Sequence, residues 1–196
     1  MRILSCLTAF LIANLLCTLT LAAPYEVMQA RAPELFDPET GLRIARQRGP
    51  TPDNLPPPAE VVSPEQARDL IEKGALALDV FAASQSRFDD LDGTWLISEQ
   101  RFSLPGAVWL PEVGRGQLEP ELQNYLATNL ARLTKYNQDH PVVVFCVADC
   151  WMSWNAAQRI AGLGYRKVYW FRLGTDGWLD IGGAVYPVDP IPVTLD

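Results

Sequence analysis

The sequence has little histidine and little positive charge. His140 is the one histidine among 196 residues, the formal net charge is -7, and no block of basic residues interrupts the acidic composition. A surface for non-specific nucleic-acid binding is therefore not expected. A single histidine also leaves little side-chain acid–base machinery and is weak support for a zinc site.

Cysteine is also scarce, and two of the four cysteines lie in a segment that reads as a targeting signal. Cys6 and Cys17 belong to an apolar run from Ile3 to Leu21, which gives way to polar sequence soon after Ala22. This pattern predicts a secretory signal peptide over residues 1–22 and export of the mature chain. The alternative is an uncleaved membrane anchor, because the run approaches the length of a membrane span.

Removal of that segment leaves Cys146 and Cys150, separated by three residues. One local cysteine pair is not a disulfide-rich scaffold, and a bridge between these residues closes a loop too small to contribute much stability. The alternative is a small structural disulfide in an oxidising compartment. A reactive role for the two sulfur atoms explains this cysteine pair better than a structural disulfide does.

Cys146 follows a short hydrophobic run, Val142 to Phe145, that lacks the alternation of a half-exposed strand. Such a run is typical of a strand buried on both faces of a parallel sheet. A helix is predicted to begin near Ser153 and to end near Gly164. A cysteine between a buried strand and a helix N-terminus meets the positive end of the helix dipole, so a thiolate is expected at Cys146.

The remaining sequence predicts one folded domain with an N-terminal appendage. Residues 23–60 are rich in proline and predict an extended arm, and residues 61–196 predict the domain. Helix and strand signals alternate along it, which indicates an α/β fold with a small, mostly parallel sheet covered by helices on both faces. These signals are a helix starting at Ser63, a strand over 75–81, a loop-like flap over 82–106, a short strand near 107–110, an amphipathic helix over 118–136 and a final strand over 168–171.

A series of landmarks resembles a rhodanese domain in order and spacing over about 61–181. They are Ser63-Pro64-Glu65, Leu78-Asp79-Val80, Leu104-Pro105-Gly106-Ala107, the strand ending on Cys146, Ala156-Ala157, Leu163-Gly164-Tyr165 and Gly174-Thr175-Asp176-Gly177-Trp178. More narrowly, the Cys146-to-Trp151 motif is similar to that of the exported rhodanese-related proteins called PQQ-dependent catabolism-associated CXXCW motif proteins. That resemblance implies a periplasmic protein.

The resemblance implies that Cys146 is the sulfur-carrying residue, and Cys150 is expected to share in catalysis as a second thiol. The expected role of the protein is sulfur transfer through a persulfide, in support of a periplasmic PQQ-dependent quinoprotein alcohol-oxidation system. Expected partners are a sulfur donor or a thiol/disulfide protein, and a quinoprotein dehydrogenase or cytochrome c; neither nucleic acid nor, after signal cleavage, a membrane is expected. We expect no cofactor and no metal. The loop residues after Cys146 that are expected to bind the substrate are Val147, Ala148, Asp149, Trp151 and Met152.

Three departures from the rhodanese pattern limit what carries over. The first is the loop after Cys146, which is one residue longer than usual and has Trp151 or Met152 where an anion-holding arginine is expected. The second is Phe81, which replaces an arginine that often follows the Asp-Val pair. Phosphatase relatives of the fold need a loop arginine for phosphate, so phosphatase activity is rejected. The third departure is Cys150 itself, because a second thiol can resolve a persulfide or a mixed disulfide on Cys146.

Two other functions stay open. One is thiol–disulfide exchange by Cys146 and Cys150, and the other is a non-catalytic accessory role, either in binding a partner or in holding Cu(I) with Met152 or His140. An aromatic wall of tryptophans is less favoured than core packing, with Trp151 as the expected exception. The neighbouring charges are expected to have ordinary roles: Asp149 as a helix cap, Asp176 as a turn residue, and Arg115 and Arg172 at the surface.

Overall fold

The computed structural model describes residues 23–195, so the predicted signal peptide lies outside the described residues. A five-stranded parallel sheet has the order β1-β6-β5-β2-β4, and β3 pairs with β7 in a separate antiparallel ribbon. The strands are β1 (Glu60–Val62), β2 (Leu76–Asp79), β3 (Arg101–Ser103), β4 (Val108–Trp109), β5 (Val142–Phe145), β6 (Val168–Phe171) and β7 (Tyr186–Val188). The helices are α1 (Tyr25–Arg31), α2 (Pro64–Glu72), α3 (Pro120–Leu133), α4 (Trp151–Gly162) and α5 (Gly174–Asp180), with a 3-10 turn at Pro33–Leu35.

The sheet is built around β5, whose four residues are all buried. Val142 and Val144 pack against α3, α4 and the arm on one face, while Val143 and Phe145 pack against α2 and α5 on the other. Burial on both faces explains why this strand is hydrophobic without alternation. The predicted α/β fold, with helices on both faces of a parallel sheet, is confirmed.

Helices α2 and α4 begin in different ways, one with side-chain capping and one without it. At α2, which starts from its N-cap residue Ser63 as predicted, Ser63 Oγ accepts from the Gln66 amide and the Gln66 side chain accepts from the Ser63 amide, forming a capping box. Helix α4 begins at Trp151, two residues before the predicted start at Ser153. Its N-cap residue is Cys150, which makes no side-chain capping bond. The cysteine pair therefore ends directly at the helix N-terminus.

Three short strands were not predicted: β1, β3 and β7. Strand β1 adds to the edge of the sheet beside β6, and β3 lies within the segment predicted as a loop-like flap. Each has three residues, and its partner lies far along the chain, so no local period marks it. The flap does pack down, because the buried Trp95 donates through Nε1 to the Ile191 carbonyl at 3.0 Å.

The arm lies along the domain on the α4 face of the sheet. It is not extended throughout, since α1 forms within it, yet Phe36 and Leu42 are buried in the core cluster with Trp151 and Trp154. The Tyr25 ring stacks on Trp154 with centroids 4.6 Å apart. Within residues 23–195, no helix is both long and apolar enough to cross a membrane.

Candidate functional site

Cys146 directly follows β5, and its backbone is held by two neighbouring segments. The Cys146 carbonyl accepts from the Thr175 amide at 3.0 Å and from Arg101 Nη2 at 3.3 Å. Gly174 packs against the same carbonyl: a Cβ there would lie 2.3 Å from the Cys146 oxygen. The start of α5 therefore fixes the first residue of the cysteine loop, Cys146 to Cys150.

The Cys146 sulfur points into the protein rather than toward solvent. Its thiol donates to Ser153 Oγ at 3.2 Å, and the same hydroxyl accepts from Trp170 Nε1 at 2.9 Å and donates to the Cys150 carbonyl at 3.2 Å. Cys146 is 0 % exposed and Cys150 is 1 % exposed. Both are free thiols in this structure.

The two thiols differ in acidity, and in the opposite sense from the prediction. Burial, together with the neighbouring Cys150 sulfur, raises the pKa of Cys146 well above its ordinary value. The neighbouring Cys146 side chain, together with the Met152 amide and Arg48, lowers the pKa of Cys150 to about 7. The expected thiolate at Cys146 is therefore wrong for this reduced conformation, and the readily ionised sulfur is the one at the helix N-terminus.

Contacts with α5 position the middle of the cysteine loop. Val147 forms an isolated antiparallel bridge with Gly174, and the Ala148 amide donates to Asp176 Oδ2 at 2.9 Å. Asp176 lies in the first turn of α5 and not in a simple turn, so that prediction is wrong. Asp149 adopts a φ of 51° and is exposed, while the N-cap position belongs to Cys150, so the predicted capping role of Asp149 is also wrong.

The arm pairs with the other side of the cysteine loop. The Gly49 amide donates to the Asp149 carbonyl at 2.9 Å, and the Trp151 amide donates to the Gln47 carbonyl at 2.9 Å. Arg48 lies opposite Cys150 in this antiparallel bridge, and Arg48 Nη1 donates to the Ala148 carbonyl at 2.9 Å. The arm thereby covers Cys150 and brings a guanidinium group to it.

Trp151 and Met152 are buried in the first turn of α4 and are not part of an open loop. Trp151 Nε1 donates to the Pro50 carbonyl at 3.0 Å, and Trp154 Nε1 donates to the Asn54 carbonyl at 3.0 Å. Trp170 and Trp178 are buried as well, so the expected exposure of Trp151 is wrong. The indoles that face the arm join it to the site and form no open aromatic wall.

Arg115 lies at the surface as expected, whereas Arg172 contacts the arm. Arg172 Nε donates to Thr51 Oγ1 at 3.0 Å and so helps to hold the arm, while Arg115 pairs with Glu112 through a 2.6 Å contact. Arg101, which was not singled out from the sequence, places its guanidinium 4.6 Å from the centroid of the Phe81 ring. It thus brings positive charge to the position where Phe81 replaces an arginine.

Arg101 also pairs with a buried carboxylate under the site. Its Nε donates to Asp79 Oδ2 at 2.9 Å, and Ser103 Oγ donates to the same oxygen at 2.6 Å. Burial raises the pKa of Asp79, although Arg101 and Ser103 oppose that rise. Arg101 is therefore the direct link between the Asp79 carboxylate and the Cys146 carbonyl.

The residues proposed for Cu(I) do not all meet. His140 precedes β5 and Cys146 follows it, so the two residues lie at opposite ends of this strand. Six extended residues separate them by about 20 Å. Among the described residues, no group of three or more His, Cys, Asp or Glu side chains is arranged to hold a metal ion. The pair of thiols thus lacks a third ligand from His140.

Sequence comparison identifies the fold that carries this site. The family model for the rhodanese-like domain matches residues 63–181, which is more than half of the chain. The chain belongs to the rhodanese-like domain family. No curated protein matches it.

Two solved structures are similar to this rhodanese-like protein. A thiosulfate sulfurtransferase from Pseudomonas aeruginosa is 21% identical with a TM-score of 0.43, and the match covers 65% of this chain and 20% of that one. A polysulfide-sulfur transferase homodimer from Wolinella succinogenes is 18% identical with a TM-score of 0.41, and the match covers 65% of this chain and 78% of that one. This chain thus spans about a fifth of the Pseudomonas protein's length.

Proposed function

We propose that this rhodanese-like protein transfers sulfur through its cysteine loop. The observation that carries the proposal is that two buried free thiols lie at the carboxyl end of β5, with Cys150 at the N-terminus of α4 and Arg48 opposite it. The neighbouring Cys146 side chain, the Met152 amide and Arg48 lower the pKa of Cys150 to about 7, which favours the thiolate, the reactive form of cysteine.

The reaction proposed is nucleophilic attack on a sulfane sulfur. A cysteine thiolate attacks the outer sulfur of a donor such as thiosulfate, the donor's S–S bond breaks, and sulfite leaves with the bonding electron pair. The resulting persulfide passes its outer sulfur to a thiophilic acceptor, which regenerates the thiolate. The resemblance assigns the persulfide to Cys146, whereas the acidity of the pair favours Cys150 as the first thiolate.

Intact-mass measurement of the reduced protein with thiosulfate tests this proposal. We expect a gain of one sulfur atom, and peptide mapping then locates it on Cys146 or Cys150. The single variants Cys146→Ser and Cys150→Ser show which thiol accepts sulfur. Loading that persists in the double serine variant would contradict the proposal.

Thiol–disulfide exchange is the second candidate, and the contact between the two thiols favours it. Attack of one cysteine on a mixed disulfide at the other releases the partner's thiol and closes an intramolecular disulfide. Reduced protein is treated with hydroxyethyl disulfide and alkylated before and after reduction. Rapid formation of the Cys146-Cys150 disulfide, in a protein that never gains sulfur from thiosulfate, would favour redox exchange over sulfur transfer.

The cellular setting is part of the same proposal. We propose that the protein is exported to the periplasm and belongs with the PQQ-dependent catabolism-associated CXXCW motif proteins, where it supports a quinoprotein alcohol dehydrogenase or its cytochrome c partner. The sequence similarity from Cys146 to Trp151 supports this placement. Deletion in the native host is expected to slow growth on alcohols. Rescue by the double serine variant would instead indicate a binding role without thiol chemistry.

A further inference from the structure

Two amides beside the cysteine sulfurs are already bonded to other acceptors. The Ala148 amide donates to Asp176, and the Trp151 amide at the start of α4 donates to the Gln47 carbonyl. Asp149 and Asp176, both exposed, add negative charge beside the loop. A positive group from another segment therefore adds to the stabilisation that the Met152 amide gives an anionic sulfur at Cys150.

The arm supplies such a group in Arg48. Backbone pairing between the arm and residues 149–151 places Arg48 directly opposite Cys150. Arg48 Nη1 is anchored on the Ala148 carbonyl at 2.9 Å, and the side chain is exposed to solvent. A guanidinium has five N–H donors, so one anchoring bond leaves further donors for an anion.

The other arginines near this part of the arm are committed differently. Arg43 is buried between the rings of Phe36 and Trp151, at 4.9 and 4.8 Å from their centroids. Arg172 donates to Thr51. Arg46 is exposed but lies two residues before Arg48, outside the bridge to Cys150. Arg48 is thus the arm residue whose backbone pairing fixes it against the acidic thiol.

We propose that Arg48 binds the anionic sulfur donor and then the persulfide formed on Cys150, so that the arm completes the sulfur-transfer site. This inference rests on the proposed function. The Cys150 thiolate attacks the outer sulfur of thiosulfate, the new S–S bond forms as the old one breaks, and sulfite departs with the electron pair. The substrate class is an anionic sulfane donor, with the negative charge held by the guanidinium before and after transfer.

The test compares Arg48→Gln, Arg48→Lys and the matched control Arg46→Gln in the full mature chain. Cys150 is alkylated with anionic iodoacetate and with neutral iodoacetamide, and the ratio of the two rates is measured. Cys150 is 1 % exposed, and the ratio removes any opening step that the two reagents share. Loading from thiosulfate is measured beside loading from neutral dimethyl trisulfide.

We expect Arg48→Gln to lower the iodoacetate-to-iodoacetamide ratio about fivefold, the effect of one unit charge about 4 Å away in water. Loading from thiosulfate should fall by a similar factor and loading from the neutral donor should not, while Arg48→Lys keeps most of the ratio. An unchanged ratio in Arg48→Gln, or an equal fall in Arg46→Gln, overturns the role of Arg48. Wild-type protein that gains no sulfur from either donor overturns the proposed function itself.

Discussion

The Ser153 hydroxyl lies 3.2 Å from the Cys146 sulfur and accepts its thiol hydrogen. Trp170 Nε1 donates to the same oxygen from the neighbouring strand β6 at 2.9 Å. Burial and the neighbouring Cys150 raise the pKa of the fully buried Cys146, although the contact with Ser153 opposes that rise.

Ser153→Ala is expected to destabilise the folded protein by about 1 to 3 kcal/mol, because it leaves the buried Trp170 N–H without an acceptor. The free energy of unfolding is measured with urea under reducing conditions. The double variant Ser153→Ala/Trp170→Phe no longer has the unpaired N–H donor. Its loss of unfolding free energy should therefore be smaller than the sum of the losses in the two single variants. Strict additivity would show that the Trp170 hydrogen bond to Ser153 contributes nothing.

Trp151→Phe is expected to loosen the arm over the cysteine loop, because it removes the hydrogen bond from Nε1 to the Pro50 carbonyl. Loss of one such bond, about 1 kcal/mol, should speed alkylation of Cys150 by about fivefold. The matched control is Trp178→Phe, which removes an indole bond to the Ala184 carbonyl away from the arm. Equal rates in the two variants would mean that the arm does not limit access to Cys150.

Cys146→Ala is expected to raise the pKa of Cys150, since the neighbouring Cys146 side chain is the main cause of its lowering. In the wild-type protein the rate of iodoacetamide alkylation at Cys150 should reach half its maximum near pH 7, and the midpoint should move upward in the variant. Iodoacetamide rates across a pH series, with peptide mapping, measure both midpoints. A midpoint that stays near pH 7 would assign the lowering to the helix N-terminus and Arg48.

The same shifts set the pH dependence of folding for the reduced protein. The pKa of Cys150 is lower in the folded chain, so its contribution to stability is present above its ordinary value of 9.0 and is lost as the pH falls through about 7. The pKa of Cys146 is raised, so its contribution acts in the opposite sense at alkaline pH. Cys150→Ala should therefore flatten the rise in stability between about pH 7 and pH 9, as measured by urea unfolding.

Arg101→Ala is expected to cost about 3 to 5 kcal/mol at neutral pH, because it leaves the fully buried Asp79 carboxylate without its cation. Burial already raises the pKa of Asp79, and removal of Arg101 raises it further. The folded variant then binds a proton more tightly than the unfolded chain, so its stability falls as the pH rises. Urea unfolding at pH 5 and pH 8 measures this trend.

The control is the double variant Asp79→Asn/Arg101→Ala, which has no buried charge to compensate. It should be more stable than Arg101→Ala at pH 8 and should show less dependence on pH. Equal stability of Arg101→Ala at the two pH values would contradict the role of Arg101 as the counterion of Asp79.

Local sequence was sufficient to predict the elements that hold Cys146. The uninterrupted hydrophobic run of β5, the capping residues at Ser63 and the alternation of helices and strands each depend on neighbouring residues, and they predicted the parallel sheet. The same local reading placed a thiolate on Cys146. The pKa of Cys146 is raised instead, because acidity depends on burial and on the groups that surround the sulfur as well as on position beside a helix.

The chain by itself thus determined an α/β fold with two cysteines at the end of its central strand. Tertiary structure decided which sulfur is acidic and what covers it: Arg48 reaches the cysteine loop across 100 residues, and Arg101 reaches Cys146 across 45. No period or motif in the arm or the flap indicates these contacts. They form only when the folded sheet brings distant segments to the carboxyl end of β5, because their hydrogen bonds depend on proximity in space rather than in sequence.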